Sequence, residues 1–138
     1  MNQAEIRTLQ TVTGPNTLDE IQQTLDEVWA SNPGVPEDIR MAMAIAVAEI
    51  GANIIEHAGM GEPIPVRMQV RLLPGEVHVE FTDHGSFAAR VDLTRLDPVD
   101  DMAETGRGLA LAKAVLGSLT YRRNHVGNHW MLVSKRFG

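Results

Sequence analysis

The sequence contains no cysteine, which excludes disulfides, thiolate metal sites and a cysteine nucleophile together. It has no excess of basic charge: 12 Lys and Arg stand against 18 Asp and Glu, giving a net charge of −6 and a pI near 5.3. The basic residues are scattered, so the electrostatic footprint of a dedicated nucleic-acid binder is missing. No apolar run approaches the roughly 18 residues a membrane span needs. The opening MNQAEIRTLQ lacks the basic flank and apolar core of a secretory leader. No internal repeat, low-complexity tract or interdomain linker interrupts the chain. These absences lead to the expectation of a soluble cytoplasmic protein with no membrane contact and no direct nucleic-acid partner. A length of 138 residues suffices for one domain with a proper core and is too short for two, so residues 1–138 are read as a single domain.

What is present is organised around Met41 to Gly59, MAMAIAVAEIGANIIEHAG, a nearly unbroken apolar helix interrupted by Glu49, Asn53, Glu56 and His57. Glu49 and Asn53 are four apart, so a helix stacks them on one face. A carboxylate in such surroundings is costly without a hydrogen-bond donor, a cation or a solvated cleft beside it. An acid with an amide oxygen one turn on is a plausible site for a hydrated divalent cation such as magnesium, which takes oxygen ligands. On spacing alone, a solvated face of an amphipathic helix is the commoner reading, since polar pairs four apart are frequent.

Around this helix the pattern predicts a first strand over Glu5–Val12, broken by Gly14-Pro15-Asn16. A helix follows, capped by Asn16 or Thr17, with Leu18, Ile21, Leu25, Val28 and Trp29 at helical spacing through Ala30. Pro36 with Glu37 and Asp38 is a favourable opening for the long helix, because proline suits the first turn and acids suit the positive end of the dipole. That helix is expected from about Pro36 to His57, stopped by Gly59 and Gly61. Val66 to Leu72 and Glu76 to Phe81 alternate apolar and polar residues on either side of Pro74-Gly75, which predicts a hairpin with one buried face. A third helix, Leu109 to Leu116, and strands over Leu119–Arg123 and His129–Val133 complete the pattern. The expected fold class is α+β: a two-layer sandwich with a mixed, mainly antiparallel sheet and helices on one face.

Two further segments carry chemistry. In Phe81-Thr82-Asp83-His84-Gly85 an acid ends a strand ahead of a glycine. A strand-end carboxylate can accept a hydrogen bond from an exocyclic amine, and the glycine can let a flat ring approach the backbone; an ordinary turn has the same composition. Glu104-Thr105-Gly106-Arg107-Gly108-Leu109 leads into a helix. Bare amides at a helix start beside two glycines make a phosphate seat to which Arg107 could add charge, though a plain glycine turn before a helix reads alike. Between the two, Thr82 to Thr105 is rich in Asp and Pro without sustained periodicity, as in a functional loop or lid.

Glu49-x-x-x-Asn53, Asp83-x-Gly85 and Gly106-x-Gly108-Leu109, in that order, resemble the anti-sigma-factor serine kinase group of the histidine-kinase-like ATPase superfamily. The resemblance covers nearly the whole chain. It implies that Asn53 holds magnesium, that Glu49 is the general base toward a serine hydroxyl, and that Asp83 reads the adenine amine. Gly85 would admit the ring, while Gly106, Arg107, Gly108 and Leu109 would form the phosphate turn. ATP and Mg2+ are the implied cofactors. The implied partners are a small anti-sigma antagonist phosphorylated on serine, a sequestered sigma factor and a second copy in a homodimer. Sensor histidine kinases and gyrase-type ATPases in the superfamily carry additional domains for which this length leaves no room. Two departures stand out. The family's pattern after the strand is replaced by Asp83-His84-Gly85-Ser86-Phe87, and Gly127-Asn128 stands where Gly-Thr or Gly-Ser is usual, so a hydroxyl expected near the adenine is absent. A non-catalytic module that uses ATP to shape a docking surface is the alternative reading.

Overall fold

A computed structural model describes residues 5–88 and 104–138, with side chains throughout except at positions 5 and 104–107. Most of the loop or lid expected over Thr82–Thr105 falls outside the described residues.

Five strands, β1 (Glu5–Val12), β2 (Pro65–Leu73), β3 (Glu76–Asp83), β4 (Ser118–Arg123) and β5 (Asn128–Val133), form one sheet in the order β1-β2-β3-β5-β4. Every pair is antiparallel, so the parallel component expected of a mixed sheet is absent among the described strands. The hairpin is as the alternation predicts, with Val70 facing Val79 and Met68 facing Phe81. Its buried residues (Val66, Met68, Val70, Val77, Val79, Phe81) join Trp130 and Leu132 of β5 in a single apolar face. The opposite face carries Arg67, Gln69, Arg71 and Glu80 and is at least partly open to water.

Helices α1 (Thr17–Ser31), α2 (Glu37–Asn53) and α3 (Glu104–Val115) complete the two-layer α+β architecture over the apolar face. Asn16 occupies the N-cap of α1 but makes no side-chain cap bond. The Thr17 hydroxyl is buried instead, accepting the Gly14 N–H at 2.8 Å. Pro36 is the N-cap of α2, one position ahead of the first-turn acids Glu37 and Asp38. The centre of α2 is wholly enclosed: Met43, Ala46, Val47 and Ile50 are all at 0% exposure. At Gly51 it passes so close to α1 that an added Cβ would stand 3.0 Å from both Leu18 and Ile21.

The long helix ends differently from expectation. Regular α geometry stops at Asn53, and Ile54–Ala58 form a π-helical turn. Such widened turns are uncommon and frequently mark functional positions. Here the turn leaves the Ala58 carbonyl free to accept the Phe87 N–H at 3.3 Å, which ties the segment after β3 to the end of α2.

Candidate nucleotide site

Asp83 is the last residue of β3 and is completely buried. Strand alternation directs it onto the apolar face, because it continues the series Val77, Val79, Phe81. One carboxylate oxygen is well held: Oδ1 accepts the Gly85 N–H at 2.9 Å and the Asn128 Nδ2 amide at 3.0 Å. The other, Oδ2, is buried with no hydrogen-bond partner. An orphaned carboxylate oxygen in an apolar interior is strongly disfavoured unless a donor completes it, and an exocyclic amine on a bound ring is such a donor.

Asp83 lines a narrow pocket beneath the end of α2. Asn53, Ile54, His57 and Ala58 line it together with Asp83, Phe87, Asn128 and Trp130. Two of the motifs read separately from the sequence therefore meet: Asn53 and Asp83 line one cavity. The apolar flanks from Ile54, Ala58 and Trp130 suit a flat aromatic ring, and the polar groups at the edges suit its heteroatoms. The pocket is closed in this structure, with essentially no free volume; it is the chemistry of its lining that fits an adenine nucleotide.

Glu49 lies one turn back along α2 and is partly buried. Its carboxylate meets the third motif: a Cβ placed on Gly108 would overlap Glu49 Oε2 and stand 3.1 Å from Cδ. Leu109 is buried in the core beside it. Helix α3 begins at Glu104, five residues earlier than the glycines imply. Gly106 falls within the first turn, whose amides have no partner inside the helix, whereas Gly108 falls past it. The side chain of Arg107 lies outside the described residues.

Gly85 takes a different place from the one expected. The volume a side chain would fill there is occupied by Ala58, with the Ala58 carbonyl carbon and Cβ each 2.7 Å from an added Cβ. Its glycine identity therefore serves the packing of the β3 end against the π turn, while its amide steadies Asp83.

Sequence reasoning missed the network behind the carboxylate. Asn128 is 1% exposed; its Nδ2 donates to Asp83 Oδ1 and to the Phe87 carbonyl at 2.9 Å. Its Oδ1 accepts the Tyr121 hydroxyl at 2.5 Å and Arg123 Nη1 at 3.1 Å, and Arg123 Nη1 also reaches the Gly85 carbonyl at 3.1 Å. Where a hydroxyl was expected, a carboxamide does the bonding. The available signal was an asparagine in register with Trp130 and Leu132 on a buried strand face. His57 and Phe87 also line the pocket without having been assigned to it.

This arrangement defines a nucleotide-binding α+β domain. Residues 12–133 match the histidine kinase-like ATPase domain family, and the chain belongs to that family. The serine/threonine-protein kinase BtrW of Bordetella bronchiseptica is 29% identical over 102 residues, spanning 70% of each chain. The crystal structure of the RsbU and RsbW domains of Rv1364c from Mycobacterium tuberculosis superposes on 94% of this chain with a TM-score of 0.61 at 18% identity. At that identity the likeness concerns the fold, and the match takes in 32% of the solved chain. No helix among the described residues is long and apolar enough to cross a membrane.

Proposed function

We propose that the protein is an ATP-dependent protein-serine kinase that phosphorylates a small anti-sigma antagonist and, in its nucleotide-bound form, sequesters a sigma factor. The observation that carries this reading is the buried, unpartnered Oδ2 of Asp83 in the same pocket as Asn53, with Glu49 one helical turn away. The kinship with BtrW supports the choice of serine or threonine as acceptor.

In this reading Asp83 Oδ2 accepts the adenine amine, while Gly85 N–H and Asn128 Nδ2 hold Oδ1 and fix the carboxylate's direction. Asn53 supplies an amide oxygen to magnesium. A magnesium ion held there would supply positive charge to offset that of the phosphates. Gly106 and the other first-turn residues of α3 present amides to the phosphates, with Arg107 adding charge and Leu109 anchoring the turn in the core. Glu49, one helical turn from the metal ligand, takes the proton from the attacking serine hydroxyl as general base. A homodimer completes the assembly. The site's residues act in the cytoplasm on protein partners.

The test is direct transfer. Purified protein is incubated with ATP, magnesium and a serine-bearing antagonist domain, and the acceptor is weighed by mass spectrometry. Addition of one phosphoryl group to serine is expected. Binding of ATP with no transfer to any such acceptor would instead make the domain a nucleotide-shaped docking module.

A further inference from the structure

We propose that Gly108 is a positioning residue for Glu49: its missing side chain is the seat that fixes where the Glu49 carboxylate stands. The inference rests on the kinase reading for its catalytic consequence, but the contact itself is independent of that reading.

A glycine inside a helix needs a reason, because it is less favourable there than alanine. Three ordinary reasons fail at Gly108. It is not a helix stop, since α3 continues to Val115. It does not require a backbone that only glycine adopts, since it is not among the glycines with positive φ. It is not a bare amide for an anion, since it lies past the first turn of α3 and its N–H belongs to the helical ladder. What remains is steric. The nearest atoms to an added Cβ all belong to one side chain, Glu49: Oε2 in overlap, Cδ at 3.1 Å and Cγ at 3.9 Å.

The other tight glycines of the site differ in kind. At Gly85 and Gly127 the atoms that would be struck belong to Ala58 and to the Asp83 and His84 backbone, which cannot swing aside. At Gly108 the obstacle is the end of a rotatable side chain. Alanine at this position is therefore tolerated by the fold, and the strain is relieved by moving the carboxylate. For a general base, which must stand within hydrogen-bond reach of the proton it takes, that movement is the consequence that matters. The two glycines of the Gly106-x-Gly108 motif thus divide their work, one in the first turn of α3 and one against the base.

The experiment compares wild type with Gly108→Ala by two readouts. In the first, protein with 13C-labelled glutamate is observed without nucleotide, the Glu49 carboxyl resonance being assigned through Glu49→Gln. That resonance is expected to move in Gly108→Ala while the resonance of Glu80, on the far face of the sheet, stays. In the second, kcat for phosphotransfer is expected to fall about 10- to 100-fold, the scale of a misplacement near 1 Å, with ATP affinity within about twofold of wild type, as expected when an interaction made only in the transition state is lost. Adding Glu49→Asp to Gly108→Ala should recover part of the lost kcat, because the shorter acid draws back from the new methyl group. An unmoved Glu49 resonance overturns the proposal, as does an unchanged kcat or a loss of ATP affinity that matches the loss of rate. A wild type that transfers nothing would bring down the kinase reading alone; the carboxyl resonance then decides the contact, a shift upholding it and its absence refuting it.

Discussion

Asp83 and Asn128 face one another across the β3–β5 pair, and the Asn128 amide donates to Asp83 Oδ1 at 3.0 Å. With the Gly85 N–H, which also donates to Oδ1, this bond holds one carboxylate oxygen, while Oδ2 is buried without a partner. A buried carboxylate lining the pocket is thereby held by a residue on the neighbouring strand.

Asn128→Ala should damage both fold and site. The Phe87 carbonyl loses its side-chain donor and Asp83 Oδ1 keeps only the Gly85 amide. Stranding buried polar groups in this way costs about 1–3 kcal/mol. A lower urea midpoint with an unchanged slope, together with weaker ATP binding, is the expected result. A variant with wild-type stability would mean that the network is not closed as described.

Asp83→Asn separates recognition from packing. The side chain is nearly isosteric, but an amide presents a donor where the carboxylate only accepted. Losing one charge-assisted hydrogen bond, worth about 1.5–3 kcal/mol, should weaken ATP roughly 10- to 100-fold. Inosine triphosphate, which lacks the amine, should bind wild type poorly and be affected far less by the substitution. Calorimetry with both nucleotides checks this; equal losses for the two would remove the adenine assignment from Asp83.

Gly85→Ala tests whether this glycine serves packing. Its methyl would strike the Ala58 backbone, and overpacking of this kind costs about 1–3 kcal/mol. Gly34→Ala is the control, because nothing lies within 4 Å of its added Cβ. Thermal unfolding should show a clear drop in Tm for the first and little change for the second.

Much of this was legible because the residues obey simple periods. The alternation of Val66, Met68 and Val70 against Arg67, Gln69 and Arg71 fixes both the existence and the buried face of the hairpin, and β1 follows its expected span of Glu5–Val12. Asn53 and Asp83, 30 residues apart in sequence, line one pocket, and Glu49 stands against Gly108 of the third motif. The π turn was not legible, since Ile54-Ile55-Glu56-His57-Ala58 has the composition of ordinary helix and the widening is set by tertiary contacts. The start of α3 was misplaced because glycines read as helix breakers, although Gly106 and Gly108 lie inside the helix. The position of Asn128 near the adenine was legible, but its bonding role was not, because its partners are distant in sequence: the Asp83 bond spans 45 residues.

The central claim is that two residues one turn apart on α2 do different work, and Glu49→Ala tests it most directly. ATP affinity and phosphoryl transfer to the serine acceptor are measured on the same preparation, with Asn53→Ala alongside. Glu49→Ala should bind ATP and magnesium nearly as wild type does while transfer falls roughly 10²–10⁴-fold, and Asn53→Ala should lose magnesium-dependent binding and transfer together. Transfer by Glu49→Ala at the wild-type rate would contradict the account.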